Sequence, residues 1–501
     1  MSRCLVLALL LISATVTAAE DELSLEDALA GFDVSEEGEL AVEGALEGFD
    51  DEPYPGVDLS IDDVLDGFES DSREEVVDLE EEMEVVTRPW LFGTDEEQGM
   101  GIRGHWIAGS SWNIAGESPT SDRLTRLSTK LWLEAESEIG DGWKFHGDGF
   151  LRYDFAYEIN GRDQYTSGVL DTYESDEEIG ELWIRGSLTP DLDLKVGRQI
   201  VVWGQSDYLR VNDIINPIDL REPGLVDIET LRRPVGMVKS DYYSGLWRWS
   251  ALLIPENRSN LSAPCGSEYS LAGVATQSKC DSDAVPSDTP GDGLDDAEYA
   301  LSAMGRFSGW DLSLYGGRFN YGTAYKDGTG LSAVMRNARI NHLGGAVNIA
   351  EGSWLWKGEV AVIDGLRYFN TGAAEKSRLD ILLGGEYRGI TDTTLSFEVL
   401  RRHINSYESS LVDGTDYVDE NSWQSVFAYS REMYNETLHL KGVLLRNGSS
   451  LDDGGYLRLS AAYDLDDNWS ATGGGIWYDA AKYPPNWGDN DRLFIEIRRD
   501  F

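Results

Sequence analysis

The chain has 501 residues, with 91 acidic against 41 basic side chains and a formal net charge of −50. This charge excludes a nucleic-acid-binding protein, because a surface that contacts phosphates must be basic. No apolar run approaches the roughly 20 residues of a membrane-spanning helix, which excludes a helical membrane protein. The chain is nevertheless rich in aromatic residues and glycine, with 16 Trp, 23 Tyr and 54 Gly. A transmembrane β-barrel accounts for both the polar composition and the many aromatic residues.

The N-terminal residues 1–19 have the pattern of a secretory signal peptide. An apolar run, 5–16, follows Arg3, and small residues follow that run,. Cleavage there would leave Cys265 and Cys280 as the only cysteines of an exported chain. Both lie in one polar stretch rich in Ser, Gly, Pro and Asp, so the sequence predicts a single disulfide that closes a long surface loop.

Residues 20–88 form a strongly acidic segment, with 27 acidic residues and only two arginines. A segment of this composition cannot bury enough apolar surface to fold alone, which predicts disorder. It nevertheless repeats one unit three times, as LSLEDALAGFD (23–33), LAVEGALEGFD (40–50) and LSIDDVLDGFE (59–69). A helix of about two turns is unstable alone, so the repeats are predicted to fold on a periplasmic or inner-membrane partner, with avidity from the linked copies.

The apolar residues of the repeats would make the contacts with this partner. An acidic linker whose repeats are the relic of a duplication is the alternative interpretation. The predicted docking residues are Leu29, Phe32, Leu46, Phe49, Leu65 and Phe68.

From residue 89 to residue 501 the sequence alternates with a period of two, and GWKFHGDGFLRYDFAYE (142–158) shows this best. Alternate side chains of a strand face opposite sides of the sheet, so one face here is apolar and the other is charged. Such a strand fits a barrel whose outer face contacts lipid and whose interior is polar. The predicted apolar face carries Trp143, Phe145, Gly147, Gly149, Leu151, Tyr153, Phe155 and Tyr157, and the other carries Lys144, His146, Asp148, Arg152, Asp154 and Glu158.

The connections between the predicted strands alternate between short and long. Eight short and nine long connections give 18 antiparallel strands with both ends on the short-turn side, and 16 strands is the alternative. Outer-membrane barrels have short periplasmic turns and long external loops. A soluble β-sandwich, the other all-β possibility, requires no such alternation.

The C-terminal residue indicates a location. Phe501 ends a strand with Leu493, Ile495 and Ile497 on one face. It resembles the C-terminal aromatic signature by which bacterial outer-membrane proteins are recognised for assembly. The resemblance implies the outer membrane of a Gram-negative cell, with residues 20–88 in the periplasm.

The third external loop, residues 204–234, mixes apolar and charged residues. It is too apolar for a loop in water and too charged for lipid, so we expect it to fold into the lumen and narrow the pore. An external cap packed on neighbouring loops is the alternative. The charged residues predicted to line the constriction are Asp207, Arg210, Asp213, Asp219, Arg221, Arg232 and Arg233.

The stretch from Val196 to Leu225 resembles the signature of an uncharacterised family of proteobacterial outer-membrane β-barrels. The resemblance implies a role beside resistance-nodulation-division exporters and in the uptake of hydrophobic compounds such as fatty acids or alkanes. The matching residues are Gly197, Arg198, Gln199, Trp203, Gly204, Asn216, Pro217 and Asp219.

Signals for catalysis or metal binding are weak. Asp288, Asp292 and Asp296 resemble a calcium loop, but Pro290 occupies a ligand position, which favours a solvated acidic loop,. There is no nucleophile-elbow, paired-cysteine or phosphate-loop motif. We therefore expect no cofactor, no metal and no enzymatic activity.

The sequence as a whole predicts a monomeric outer-membrane channel for a hydrophobic or amphipathic solute. It would be gated by the third external loop and coupled through the acidic repeats to its partner. The alternative is a structural or adaptor barrel that anchors the repeat segment and conducts nothing.

Overall fold

The computed structural model describes most of the predicted barrel. The predicted signal peptide, the acidic repeats and the six predicted docking residues lie outside the described residues. The described residues are 100–115, 124–140, 142–225, 228–270, 275–328, 332–368, 374–411, 418–480, 488 and 490–501.

Eighteen antiparallel strands form one closed sheet. Each strand pairs with its neighbours in the chain, and β1 (Gly101–Asn113) also pairs with β18 (Arg492–Asp500), which closes the barrel. The prediction of 18 strands is confirmed, and the alternative of 16 is wrong. The strands between these two are β2 Leu124–Ile139, β3 Trp143–Asp154, β4 Ser175–Thr189, β5 Leu192–Gln199, β6 Val235–Ser244, β7 Trp247–Ile254, β8 Glu298–Phe307, β9 Trp310–Asp327, β10 Val334–Glu351, β11 Trp354–Leu366, β12 Lys376–Ile390, β13 Thr393–Asn405, β14 Asn421–Met433, β15 Leu438–Asn447, β16 Gly455–Asp464 and β17 Trp469–Asp479.

The long connections lie at one end of the barrel and contain its short helices. None of the helices in the described part of the chain is long and apolar enough to cross a membrane. The helices are α1 Ala156–Asn160, α2 Ser167–Val169 and α3 Gln277–Asp283, with 3₁₀ turns at Arg162–Gln164, Ile228–Leu231 and Ser409–Leu411 and a π turn at Leu170–Glu174.

Strand β3 is shorter than its sequence predicts. Phe155, Tyr157 and Glu158 were expected to continue the alternation, but β3 ends at Asp154 and α1 follows. The Asp154 carboxylate accepts hydrogen bonds from the backbone N–H groups of Leu127 (2.9 Å) and Ala156 (3.0 Å). The Asp154 side chain therefore forms an Asx turn, which ends β3 and leads the chain into α1.

The two faces of the sheet differ as the alternation predicts. Large apolar side chains are exposed on the outer face, among them Leu151 (58 %), Leu343 (68 %) and Leu383 (66 %). The inner, lumenal face carries charged residues such as Arg152 and Glu359, which contact other residues inside the barrel. A closed sheet with an apolar exterior and a polar interior fits a lipid environment.

The buried core lies between the lumenal face and the connection from β5 to β6. Trp203 and Ile215 of this connection pack in one cluster with Tyr315, Phe319 and Ile340 of the wall. A second cluster joins Leu209 and Val211 to Leu382, Leu400 and Val426. The barrel interior is thus partly filled by the chain itself.

Candidate functional site

The connection between β5 and β6, residues 200–234, is called the lumenal segment here. Its first half, 200–216, contacts β9–β13, and its second half, 217–234, contacts β2–β4, β17 and β18. In a closed sheet of 18 strands, β11 and β2 are nine strands apart and lie on opposite walls. The segment therefore crosses the lumen.

Glu359 of β11 holds the first half through hydrogen bonds. Its Oε1 accepts from the backbone N–H groups of Gln205 (2.6 Å) and Ser206 (2.7 Å). Its Oε2 accepts from the Asn212 side-chain Nδ2 (2.8 Å). The Glu359 residue is only 4 % exposed, and a buried carboxylate is stable when several donors satisfy it,.

Glu398 of β13 binds the next residues in the same way. Its carboxylate accepts from the backbone N–H groups of Asp207 (2.7 Å), Tyr208 (3.1 Å) and Leu209 (2.8 Å). Successive N–H groups that converge on one anion form a nest. Two wall carboxylates thereby bind the backbone of residues 205–209, whatever the side chains of those residues are.

The Asn216 side chain joins the two ends of the segment. Its Oδ1 accepts from the backbone N–H of Val201 (2.8 Å), and its Nδ2 donates to the carbonyl oxygens of Gln199 (3.2 Å) and Arg233 (3.0 Å). The Arg233 N–H in turn donates to the carbonyl of Pro217 (2.8 Å). Asn216 is 2 % exposed, so this amide fixes where the segment leaves the wall and where it returns.

Two further signature residues fit the segment to the wall. The Trp203 ring stacks on the Tyr315 ring, with centroids 4.8 Å apart. Gly204 has a φ of +93°, and a Cβ there would lie 2.8 Å from both carboxylate oxygens of Glu359. Only glycine brings the backbone this close to the Glu359 carboxylate.

The remaining signature residues lie at the end of β5 and at the turn after Asn216. Gly197 has a φ of +133°, and a Cβ there would collide with the Leu182 carbonyl oxygen. Arg198 pairs with Glu256. Gln199 is fully buried. Asp219 pairs with Arg221 at 2.5 Å. The signature is therefore a set of residues that build the inward turn.

Three arginines of the wall surround Glu222 in the second half. Arg126 forms an ion pair with Glu222, and Arg152 Nη1 lies 4.0 Å from its Oε2. Burial alone would raise the pKa of the Glu222 carboxyl, but Arg126, Arg152 and Arg492 lower that pKa to about 2. The side chains of Arg126, Arg152 and Glu222 are 13 to 16 % exposed.

The structure places the seven predicted constriction residues in ion pairs. Asp213 binds Arg210 (3.0 Å) and Arg232 (2.8 Å) within the segment. The other four pair with the wall or with each other, and Asp207, bound to Lys357 at 2.5 Å, has the most exposed side chain (42 %). The wall partners of the remaining residues are Asp176 for Arg221 and Glu178 for Arg233.

A disulfide joins Cys265 and Cys280, whose Cα atoms are 5.7 Å apart, in agreement with the sequence prediction. The same loop contacts the second half of the segment, because Leu261–Ser262 pairs in parallel with Asp219–Leu220. Glu268 of this loop forms an ion pair with Arg492 of β18. The loop therefore lies against the lumenal segment.

The calcium candidates have protein partners. Asp288 pairs with Arg336 (3.0 Å), and the Asp292 carboxylate accepts the backbone N–H of Asn257 (2.8 Å). Within the described residues, two other groups have ligand atoms close enough to share a cation, and both contain His146. They are Glu134, Glu136 and His146, and His146, Asp148 and Glu181.

Sequence reasoning missed the two residues that bind the segment most directly, Glu359 and Glu398. Both lie at lumenal positions in alternating strands, beside the buried apolar residues Ala361 and Leu400. An acidic residue among apolar neighbours on one face indicates a carboxylate that needs donors. The sequence does not say which segment supplies them, since Glu359 is 154 residues from Gln205.

Comparisons with known proteins identify one family and several similar solved structures. A family model described as "Protein of unknown function (DUF1302)" matches residues 4–501. No curated protein matches the chain. The fold resembles those of outer-membrane channels, as three solved structures illustrate.

OccAB2 of Acinetobacter baumannii is 9 % identical over 80 % of this chain and 98 % of its own, with a TM-score of 0.48. OpdK of Pseudomonas aeruginosa, solved with vanillate, is 9 % identical over 80 % and 98 %, with a TM-score of 0.45. A loop L8 deletion mutant of OmpT, an outer membrane protein of Vibrio cholerae, is 10 % identical over 81 % and 100 %, with a TM-score of 0.39.

Proposed function

The chain belongs to the family described as a protein of unknown function (DUF1302), and from this membership and the geometry above we propose that it is an outer-membrane channel. It passes a hydrophobic or amphipathic solute of the long-chain fatty acid or alkane type. The lumenal segment gates this passage. The barrel lies in the outer membrane of a Gram-negative cell, with residues 20–88 in the periplasm.

One observation carries the proposal: the lumenal segment crosses a closed barrel and is bound at both walls. An 18-stranded barrel leaves an aqueous interior unless something occupies it. Here the occupant is a segment whose two halves are held by Glu359 and Glu398 on one side and by Arg126 on the other. Movement of such a segment changes the free cross-section directly.

The side chains of the lumenal face favour an amphipathic solute over a pure hydrocarbon. Cations lie over aromatic rings at several lumenal positions, with Lys130 4.2 Å from the Phe150 ring centroid and Lys195 4.1 Å from that of Trp183. Such pairs offer a charged group and an apolar face side by side. A fatty acid can use both, whereas an alkane can use only the apolar face.

The acidic repeats are the segment through which the channel would bind a partner. We propose that they dock a periplasmic or inner-membrane protein, and that this partner determines the direction of transport. The test is a pull-down with the full-length protein from envelope extracts, compared with a variant carrying Phe32→Ala, Phe49→Ala and Phe68→Ala. Recovery of one partner by the wild type and its loss from the variant supports docking, and equal recovery contradicts it.

Single-channel recording in planar bilayers tests the channel itself. We expect the full-length protein to conduct, and deletion of 207–231 to raise the conductance severalfold because the segment no longer crosses the lumen. Deletion of 449–452, in the connection between β15 and β16, is the matched control and should leave conductance unchanged.

Two outcomes would contradict the proposal. If neither the folded wild type nor the deletion variant conducts, the barrel is an adaptor that anchors the repeats. If both conduct equally, the protein is a channel but the segment does not gate it.

Uptake of a fluorescent fatty acid into liposomes, with an alkane in parallel, then measures the solute preference.

A further inference from the structure

The wall that faces the second half of the lumenal segment has more cations than acids. β2, β3 and β18 contribute Arg126, Lys130, Arg152 and Arg492 at lumenal positions. The nearby wall acids are Asp154, 4.0 Å from Arg126, and Asp176, 3.5 Å from Arg152, together with Glu496 of β18, whose charge acts on Arg126 and Lys130. Four cations against three carboxylates leave this part of the wall with an excess of one positive charge.

Carboxylates of the loops balance the excess positive charge of this wall. Glu222 of the lumenal segment pairs with Arg126 and lies 4.0 Å from Arg152. Glu268 of the disulfide loop pairs with Arg492. Lys130 forms no ion pair with any residue that the structure describes, and its ammonium lies over the Phe150 ring instead. The cations of this wall therefore bind carboxylates, and the carboxylates they bind here are the loop side chains Glu222 and Glu268.

A buried apolar cluster adjoins these cations. Tyr269, Ile476 and Tyr478 form a buried cluster, against which Leu225 and Phe494 pack. Phe494 lies opposite Gly474 in the neighbouring strand and beneath Arg458, 5.5 Å from the ring centroid. A solute with a carboxylate and an apolar tail fits a place where arginines and aromatic side chains meet.

We propose that Arg126, Arg152 and Arg492 form a carboxylate-binding site on the solute path, with Glu222 as its resident occupant. A carboxylate of the solute displaces the Glu222 side chain and releases the second half of the lumenal segment. This inference rests on the proposed channel function and specifies its substrate class, an amphipathic carboxylate.

The exchange is feasible because it conserves the interactions of the site. Hydrogen bonds from arginine to carboxylate are charge-assisted and alike whether the carboxylate belongs to Glu222 or to a solute. The Glu222 side chain is 16 % exposed, so a solute can reach its partners. Gly224, with a φ of +78°, follows two residues later and lets the backbone turn there,.

The variant Glu222→Gln tests the proposal, because it keeps the shape of the side chain and removes its charge. Sodium hexanoate is the probe and 1-hexanol is its uncharged counterpart. We expect hexanoate, but not hexanol, to reduce the wild-type single-channel current. The variant should require roughly tenfold less hexanoate for the same block, because one charge-assisted competitor is gone. Its reversal potential in a KCl gradient should shift towards anion selectivity.

Two further variants complete the test. Arg152→Gln should weaken the hexanoate block severalfold. Glu174→Gln removes a loop carboxylate that pairs with Arg162, outside the cluster, and should behave as wild type. If Glu222→Gln does not fold, the wild-type comparison of hexanoate with hexanol and the Arg152→Gln measurement still decide the question.

The outcomes separate this inference from the channel function. Equal block by hexanoate and hexanol, or identical block of wild type and the Glu222→Gln variant, overturns the carboxylate site while conduction remains. A folded barrel that conducts under no condition overturns the channel function and this inference together.

Discussion

The two halves of the lumenal segment are bound to opposite walls by different chemistry. In residues 200–216 the backbone N–H groups donate to two buried carboxylates of the wall, Glu359 and Glu398. In residues 217–234 the side chains form ion pairs with wall residues such as Arg126, and these pairs are partly exposed. The first half is thus held mainly by its backbone, and the second half mainly by its side chains.

This difference indicates which half of the lumenal segment can move. The two wall carboxylates that accept from the first half are buried, and either carboxylate left without its donors would be an unpaired buried charge, which is costly,. The ion pairs of the second half are formed by side chains, so another anion can take the place of a carboxylate there and keep the arginines paired. We infer that the first half is the fixed anchor and that the second half moves.

The largest effect is expected for Glu398→Ala. It leaves the N–H groups of Asp207, Tyr208 and Leu209 without their acceptor. Each unsatisfied buried donor costs about 1–3 kcal/mol, so we expect the free energy of unfolding to fall by about 3 kcal/mol or more. Urea titration of the protein in lipid vesicles measures this, and noisier single-channel currents should accompany it.

Glu351→Ala is the control for that loss, since Glu351 is an exposed glutamate at the short-turn end of β10. It should change the free energy of unfolding by less than about 0.5 kcal/mol. A loss at Glu398 no larger than at Glu351 would show that the backbone of the first half needs no wall carboxylate.

The next largest effect is expected for Asn216→Ala, which disconnects the two ends of the segment. The Val201 N–H loses its acceptor, and the carbonyl groups of Gln199 and Arg233 lose their donor. We expect a loss of about 2 kcal/mol in the free energy of unfolding. Limited proteolysis should also cleave the variant faster within residues 217–234.

Asn216→Asp distinguishes the two roles of the Asn216 amide. It keeps the acceptor for Val201 and removes both donors, placing a carboxylate against two carbonyl oxygens. We expect it to be at least as destabilising as Asn216→Ala. A fully stable Asp variant would mean that the two donated bonds do not hold the ends together.

The barrel could be predicted from the sequence because its determinants are local. A period of two and alternating connection lengths depend on residues near one another in the chain, and they specify strand number and orientation. The exception is the end of β3, where the Asp154 side chain forms a turn into α1 although Phe155 and Tyr157 continue the apolar pattern. Alternation alone does not predict such a turn.

The site was less predictable because its contacts are distant in sequence. Composition identified residues 204–234 as unusual, and the seven charges chosen there do form ion pairs. Their role in narrowing the pore stays a prediction. The wall partners Glu359 and Glu398 were missed, since their donors are 147 or more residues away and most of them are backbone groups without a sequence signature.

The smallest expected effect concerns pH, and comparison with Glu222→Gln isolates the contribution of the second half. The pKa of Glu222 is lowered to about 2, so its ion pairs stabilise the fold fully above the usual glutamate range and lose that contribution as the pH falls through about 2,. Between pH 7 and pH 4 the loss is roughly 1 kcal/mol, because only the unfolded state takes up protons there.

Measuring proteolysis within 217–234 and the free energy of unfolding at pH 7, 4 and 2 tests this, with Glu222→Gln as the variant that lacks the titrating group. The wild type should approach the stability of the variant as the pH nears 2. Parallel curves for the two proteins over the whole range would mean that Glu222 is not held by Arg126 and Arg152. The second half of the segment would then be bound by something other than exchangeable charge, and the contrast with the first half would fail.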